Sequence, residues 1–344
     1  MTERENVVSI ERSERGPLYA MAPERAARKL LLRQLKDAEH AGQRLAGGED
    51  PEALHDFRVA LRRFRSIERA YRSWVEEALP KKLRKRLREL VGSTGPVRDS
   101  EVQLHWLEQQ RLALRPNQRV GYQWLQRRLE DRARQGYAAI RGRLPLEFAA
   151  LAALLRAALS MPCESSFSSF AQVTGEKLQA LLAELEQDFT AIGNGAETSR
   201  IHDARLLVKR ARYLLEPVAP ALEQGKTMVG ELAALQGLLG GIHDAEVLGT
   251  ALDDAAAEAG AARYRGLVRQ ALDQAAAGFG ASSQRRGDER AGLTLLAQRV
   301  REQEQAAHAA LRRKVRGGEV QGLLRRLNEA ARMLALPSGA TAAA

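Results

Sequence analysis

The sequence predicts an all-α protein, and both its composition and the spacing of its apolar residues support that prediction. Aromatic residues make up only 5% of the chain, which disfavours a β-sandwich, and good helix formers such as Leu, Ala, Arg and Glu are abundant. Apolar positions recur at helical spacing through most of the sequence. The chain has 344 residues, of which 44% are hydrophobic, and is long enough for two domains of roughly 150 residues each.

Start and stop signals divide the first half of the chain into a series of helices. Asp50 is suited to cap a helix, Pro51 to occupy its first position, and Glu52 to face the positive end of its dipole. The predicted helices run from Pro23 to Gly47, from Pro51 to about Leu79, from Pro80 to Gly92, from Val97 to about Leu114 and from Asn117 to about Arg143.

The strongest signal in the sequence is an internal repeat. Residues 54–65 align with residues 201–212 at an offset of 147, and they share the pattern Leu/Ile-His-Asp-x-Arg-x-x-x-Arg/Lys-Arg-x-Arg. A second match, of residues 95–102 with residues 240–247, follows in the same order at an offset of 145. Two ordered matches at nearly equal offsets predict a duplicated chain in which each half is one helical bundle.

The predicted domain boundaries follow from this repeat. The Ser-rich linker at 160–169 separates a first bundle at 21–159 from a second bundle at 170–335. Neither end of the chain shows sustained periodicity. We therefore expect residues 1–20 to be a flexible extension and residues 336–344 to be a disordered tail.

A narrow basic stripe runs along each of the two repeated helices. At 100° per residue, the basic positions fall within about 80° of one another, and the apolar positions lie on the opposite side. The stripe of the first helix consists of His55, Arg58, Arg62 and Arg65, and the stripe of the second consists of His202, Arg205, Lys209 and Arg212.

The stripe indicates a long anionic partner. Like charges three and four residues apart on a helix repel one another, so an isolated helix gains nothing from this arrangement. From His55 to Arg65 the helix rises by about 15 Å, which is enough for several consecutive phosphates. Arginine also offers planar, forked donors that match phosphate oxygens.

The two histidines are expected to strengthen binding as the pH falls from about 8 toward 6. Asp56, Asp203, Arg63 and Arg210 project to one side of the stripe and are expected to form ion pairs between helices.

The repeated segments resemble the CHAD family, the conserved histidine α-helical domain. The resemblance also draws on residues 26–32, 52–54 and 97–102, and it covers the chain from about residue 20 to 335. It implies two bundles of four main helices each, packed with pseudo-two-fold symmetry around a basic central groove that binds inorganic polyphosphate. It further implies association with polyphosphate granules and no catalysis by this domain alone.

The resemblance supports both stripes as the polyphosphate ligands, with no catalytic residue, metal or cofactor. His243 stands at the position that corresponds to Arg98 in the first half. A wider basic surface is expected from Arg28, Lys29, Arg69, Lys81, Arg84, Lys85, Arg88, Arg98 and His243.

Three other functions remain open from the sequence. A basic helical face also attracts nucleic acid, although this stripe lacks interleaved aromatic residues for base stacking. His-Asp pairs that begin at His55, His202 and His243 suggest a metal-dependent HD-type phosphohydrolase. However, the side chains of adjacent helical residues diverge by about 100°, and the surrounding arginines would repel a metal cation. The third is a helical scaffold for an acidic protein or granule surface, with residues 251–277 as its interaction helix.

The remaining composition favours a cytoplasmic protein. The formal net charge of +11 suits an anionic partner, and weak, nonspecific binding of nucleic acid is also expected. The lone cysteine, Cys163, has no partner for a disulfide within the chain. The N-terminus lacks the apolar core of a signal peptide, and no apolar run is long enough to cross a membrane. We expect the protein in the cytoplasm, on polyphosphate granules where these occur.

Overall fold

The computed structural model describes residues 17–48, 50, 52–111, 114–164, 166–195, 198–277 and 289–336. Every regular element in these ranges is helical, which confirms the all-α prediction. The α-helices are α1 (Pro23–Gly47), α2 (Ala53–Ala70), α3 (Arg72–Val75), α4 (Lys81–Ser93), α5 (Gly95–Gln109), α6 (Pro116–Arg141), α7 (Leu144–Ser160), α8 (Phe170–Gly193), α9 (Thr198–Leu215), α10 (Gly225–Ala277), α11 (Arg290–Arg316) and α12 (Glu319–Ala335).

The described residues form two compact units, and each unit takes segments from both halves of the sequence. The first unit contains the described parts of 1–94, 139–240 and 310–344, and the second contains those of 95–138 and 241–309. The units therefore divide the chain differently from the sequence halves on either side of the Ser-rich linker. Both repeated helices, α2 and α9, belong to the first unit.

In the first unit, the helices of each sequence half pack around one central helix. Helix α1 packs against α2 and α7, and α8 packs against α9 and α12. The contact between α8 and α12 is very close at Gly175, where an added Cβ would lie 2.5 Å from the carbonyl oxygen of Ala331. Only glycine allows the two helix backbones to approach to this distance.

The second unit has its own core, built from α5, α6 and the parts of α10 and α11 that belong to it. Two glycines face each other where α6 meets α11, since a Cβ added to Gly121 would lie 2.8 Å from the Cα atom of Gly292. Trp106 donates a hydrogen bond of 2.8 Å from its indole nitrogen to Gln303. The buried core residues are Trp106, Leu107, Tyr122, Leu125, Leu129, Ala245, Leu248, Leu252, Ala255, Ala259, Leu293, Leu296 and Val300.

Helix α2 starts near its predicted position but ends nine residues before Leu79. Asp50 accepts a hydrogen bond of 2.8 Å from the backbone nitrogen of Glu52, as its predicted capping role requires, and Pro51 lies outside the described residues. At the other end, Tyr71 leaves the helical conformation (φ −111°, ψ 29°). Its buried hydroxyl lies 2.6 Å from the Thr174 hydroxyl, so burial against α8 turns the chain away from the helix axis.

The other predicted boundaries agree with the structure to different extents. Helix α4 matches the predicted basic helix, whereas α5 ends at Gln109, five residues before Leu114. Ser169, at the end of the Ser-rich linker, caps α8 by accepting a hydrogen bond from the backbone nitrogen of Gln172. Residues 1–16 and 337–344, which hold most of the predicted extension and tail, lie outside the described residues.

Helix α10 contains the Ala-rich residues 251–277, the candidate interaction helix of the scaffold alternative. Its buried residues from Ala245 to Ala259 contribute to the core of the second unit, and residues 261–273 are exposed. None of the helices in the described ranges is both long and apolar enough to span a bilayer.

Candidate functional site: a cationic cavity in the first unit

The two repeated helices are amphipathic, as their sequences predict. On α2, Phe57, Leu61 and Phe64 are buried, and on α9, Val208 and Ala211 are buried. Burial of these apolar faces fixes the rotation of each helix, so the basic positions face away from the core.

A cavity of about 1100 Å³ lies between α2, α4, α8 and α9. Its lining contains two carboxylates, Glu68 and Glu184, and an apolar part that includes Leu79, Leu155 and Leu181. The basic residues that line it are Arg62, Arg65, Arg69, Arg72, Lys81, Arg84, Arg88, Lys177, Lys209 and Arg210. The lining thus carries ten basic side chains against two acidic ones, and its charge strongly favours an anion.

The electrostatics at Lys209 show how closely the basic residues of the cavity are grouped. Burial and the nearby charges of Arg62, Arg205, Arg65 and Arg212 lower the pKa of Lys209 to about 8. Arg62 and Arg65 come from the first repeated segment, whereas Lys209 comes from the second. The two stripes therefore meet at the cavity wall and repel one another there.

Other cations of the cavity are also perturbed. The pKa of Arg65 is lowered by partial withdrawal of its guanidinium from water and by the nearby charges of Arg88 and Arg69. Burial and the charge of Arg69 lower the pKa of Arg210. Burial likewise lowers the pKa of Lys177, whose ammonium nitrogen lies 4.8 Å from the centroid of the Trp74 ring. Each of these shifts would be opposed by an anion in the cavity.

Glu68 organises part of the cavity wall. Glu68 is 8% exposed, and its carboxylate accepts hydrogen bonds of 3.2 Å from both Arg72 and Arg84. One buried carboxylate thus fixes two guanidinium groups from different helices, which limits the side-chain entropy that they lose when they bind an anion.

Of the eight stripe residues predicted as ligands, Arg62, Arg65 and Lys209 line the cavity. Arg205 does not line it but lies close enough to lower the pKa of Lys209. His55 is half-buried and His202 is exposed, and neither contributes to the lining.

The two other stripe arginines bond to neighbouring protein groups. Arg58 donates hydrogen bonds to the Thr94 hydroxyl at 2.5 Å and to the Val91 carbonyl oxygen at 3.3 Å. Arg212 forms an ion pair of 3.2 Å with Glu216, and its guanidinium carbon lies 4.9 Å from the centroid of the Tyr213 ring. The Arg58 contacts join α2 to the end of α4, whereas the Arg212 contacts are local to α9 and the residue that follows it.

The nine residues of the predicted wider basic surface separate into distinct groups. Arg69, Lys81, Arg84 and Arg88 line the cavity. Arg28 is buried and donates a hydrogen bond to the carbonyl oxygen of Met161, a structural contact.

The remaining four residues of that surface lie outside the cavity lining. Lys29 is exposed, and Lys85 forms an ion pair of 3.6 Å with Glu89. Arg98 and His243 belong to the second unit. There Arg98 pairs with Glu101 at 2.9 Å, and Nδ1 of His243 lies 3.6 Å from a carboxylate oxygen of Glu246.

The expected ion pairs beside the stripes are only partly present. Asp56 forms an ion pair between helices, but its partner is Arg44 of α1, at 2.8 Å. Arg210 lines the cavity instead of serving only as a structural partner.

Arg72 and Lys177 also line the cavity but were not predicted, because the sequence does not reveal which side of α3 and α8 faces the stripes.

The chemistry of the described site is that of a surface for anion binding. Within the described ranges, no group of three or more His, Cys, Asp and Glu side chains is placed to hold a metal ion. Asp56, part of the first His-Asp pair, is engaged with Arg44.

The fold and site define an all-α protein with a strongly cationic cavity, and comparison with known proteins identifies its family. The sequence model of the CHAD domain matches residues 26–253, which is most of the chain. The chain therefore belongs to the CHAD domain family, as its resemblance predicted; this family is associated with polyphosphate-related proteins.

Two solved structures share the fold. The CHAD domain from the plant Ricinus communis is 22% identical, with a TM-score of 0.57 over 82% of this chain and 96% of that chain. PptA from Streptomyces chartreusis is 17% identical, with a TM-score of 0.61 over 86% of this chain and 99% of that chain. No curated protein matches the sequence. At these identities the similarity concerns the fold.

Proposed function

We propose that this protein binds inorganic polyphosphate in the cationic cavity of its first unit, without cleaving it. The observation that carries the proposal is the convergence of ten basic side chains on one cavity, where burial and the repulsion between neighbouring cations together lower the pKa of Lys209 to about 8. A linear anion with one charge per phosphate would neutralise these cations together and relieve their repulsion. Membership of the CHAD family supports the same ligand.

The size of the cavity also favours a chain of phosphates. A volume of about 1100 Å³ exceeds what a single phosphate or small carboxylate needs, and the basic side chains come from several helices. Most of them are arginines, which can form paired hydrogen bonds with phosphoryl oxygens.

The absence of catalysis is part of the proposal, and the state of Glu68 supports it. A hydrolase needs a base to activate water or a metal to polarise the phosphoryl group. The Glu68 carboxylate already accepts hydrogen bonds from two arginines, so it is poorly placed to accept a proton from water.

Nucleic acid is the alternative ligand, and the aromatic residues argue against it. Single-stranded nucleic acids gain much of their affinity from bases stacked on exposed aromatic rings. The aromatic residues on the repeated helix, Phe57 and Phe64, are each 1% exposed. A phosphate backbone could use the cations, but its bases would find no stacking surface on α2.

Competition binding tests the proposal directly. Labelled long-chain polyphosphate is bound to the full chain at fixed salt and displaced with unlabelled polyphosphate, single-stranded DNA or RNA of equal charge. We expect polyphosphate to displace the label at the lowest concentration, and free phosphate not to accumulate over time. Stronger displacement by DNA or RNA would contradict the proposed ligand, and steady phosphate release would contradict the absence of catalysis.

A pair of triple variants locates the site. Replacing Arg62, Arg65 and Lys209 with Gln removes three cavity charges, whereas replacing Arg111, Arg119 and Arg134 with Gln removes three exposed charges of the second unit. We expect the first variant to lose at least about 100-fold in affinity and the second to lose less than about threefold. Equal losses would mean that net charge, and not the cavity, determines binding.

The cytoplasmic and granule location belongs to the same proposal. A polyphosphate ligand supports it, because a protein whose cavity binds the polymer would be retained wherever the polymer accumulates. Fluorescently tagged protein should colocalise with polyphosphate granules, and the cavity triple variant should be diffuse.

A further inference from the structure

A tyrosine among the cations of the cavity has a buried hydroxyl that forms no hydrogen bond with the described residues. Tyr213 lies on α9 four residues after Lys209, so the two side chains project from the same side of the helix. Tyr213 lines the cavity and is 5% exposed. Its hydroxyl has no hydrogen-bond partner among the residues that the structure describes. Burial of a hydroxyl in this state opposes folding, so a compensating role in the bound state is expected.

Two other hydroxyl groups of the first unit show how Tyr213 differs. Ser66 occupies the position in the first repeat that corresponds to Tyr213 and lines the same cavity, but it donates its hydrogen bond to the carbonyl oxygen of Arg62 at 2.9 Å. The hydroxyl of Tyr71 is 2.6 Å from that of Thr174. Both of these groups already have protein partners, whereas the Tyr213 hydroxyl has none among the described residues and belongs to a residue that lines the cavity.

The position of the Tyr213 ring is well fixed. Its ring is buried, and the guanidinium carbon of Arg212 lies 4.9 Å from its centroid. A fixed ring holds the O–H group in a defined position, so a ligand that accepts its hydrogen bond gains a directional contact at small entropic cost.

We propose that Tyr213 is a neutral hydrogen-bond donor of the anion site, whose O–H group donates to a non-bridging oxygen of a bound phosphoryl group. This inference rests on the proposed function and deepens it, since it assigns a contact that charge alone does not provide. A charged acceptor makes this hydrogen bond stronger than one between neutral groups. Because a tyrosine carries no charge, its contact releases no counterion and its contribution is independent of salt.

The variant Tyr213→Phe tests this assignment, since it keeps the ring and removes only the hydroxyl. We expect polyphosphate affinity to fall about tenfold. In a plot of log Kd against log salt concentration, the line should shift without a change in slope. The melting temperature of the unliganded variant should be equal to or above that of the wild type, because the removed hydroxyl has no protein partner.

The variant Tyr71→Phe is the matched control. It removes a buried hydroxyl that is bonded to Thr174 and lies outside the cavity lining. We expect it to lower the melting temperature and to leave polyphosphate affinity unchanged.

The outcomes separate the inference from the function on which it rests. If Tyr213→Phe binds like the wild type, or changes the salt slope, or melts at a lower temperature as Tyr71→Phe does, the donor role is overturned while polyphosphate binding stands. If the wild type itself does not bind polyphosphate, the proposed function and the donor role both fail.

Discussion

Arg62 and Lys209 occupy corresponding positions of the two repeated segments, and they repel one another across the wall of a single cavity. They are 147 residues apart in the sequence. Helices α2 and α9 therefore bring their corresponding basic positions together, where a single anion could contact both.

Binding should weaken as the pH rises above about 8. An anion near Lys209 favours its charged form and raises its pKa above the unliganded value of about 8, so binding takes up a proton. The sign of this linkage requires affinity to be highest below pH 8 and to decline between about pH 8 and 10. Calorimetric titration with long-chain polyphosphate at constant ionic strength measures this profile.

The variant Lys209→Arg identifies the group responsible for this decline. Arginine keeps its charge throughout the range, so the decline above pH 8 should be largely removed. A decline between pH 6 and 8 in both proteins would instead assign the pH dependence to His55 and His202, as the sequence alone predicted.

Removing the charge of Lys209 should stabilise the unliganded protein. The folded pKa of this lysine is lowered, so the folded state is penalised below about pH 8, and stability rises with pH toward the ordinary lysine pKa of about 10.5. After allowance for screening by solvent, we expect Lys209→Met to raise the free energy of unfolding at pH 7 by about 1 kcal/mol. Urea unfolding should show this difference at pH 7 and its disappearance near pH 10.5. A variant less stable than the wild type at pH 7 would contradict the burial and repulsion of the Lys209 charge described here.

The salt dependence of binding should identify the residues that neutralise phosphates. Each phosphate contact releases counterions, and for single strands the slope of log affinity against log salt is about −0.7 per contact. Replacement of Arg62 and Arg65 with Gln removes two such contacts and should therefore make the slope shallower by about 1.4. Replacement of Arg111 and Arg119, which do not line the cavity, should leave it unchanged. A slope near zero in the wild type would rule out a polyanion as the ligand.

The close approach of α8 and α12 should make Gly175 intolerant of substitution. A Cβ there would lie 2.5 Å from a backbone oxygen, so the helices must separate to accommodate it. We expect Gly175→Ala to destabilise the protein by about 2 kcal/mol or more.

Gly230, in α10, is the control, because nothing lies within 4 Å of an added Cβ. Gly230→Ala should stabilise by about 0.5 kcal/mol, since alanine is the better helix former. Similar thermal shifts in both variants would contradict the packing described for Gly175.

The sequence predicted the features that depend on local periodicity. The all-α class and the buried faces of α2 and α9 follow from apolar residues at helical spacing, and the structure confirms both. Arg62, Arg65 and Lys209 could be found in the same way, since they are basic and lie on the side of the helix opposite its core.

The features that depend on tertiary packing could not be predicted. Tyr71 ends α2 because it packs against α8, more than 100 residues later in the chain. Arg58 has the same helical spacing as Arg62, yet it bonds to Thr94, a contact that depends on where α4 ends. Lys177 lines the cavity from a helix with no basic pattern of its own. For each of these residues the deciding neighbour is distant in sequence.

The first unit takes helices from both halves of the sequence, so the ribosome must translate both halves before this unit is complete. Helices α1 to α4 leave the ribosome well before α8, α9 and α12, which supply the opposite wall and its support. Until those helices arrive, the apolar faces of Leu79 and Leu155 lack their final neighbours. A fragment that stops at the Ser-rich linker would retain Arg62 and Arg65 but would expose this apolar surface, and it should aggregate. The cavity can therefore form only after α9, which supplies Lys209, Arg210 and Tyr213 of its lining, has been translated.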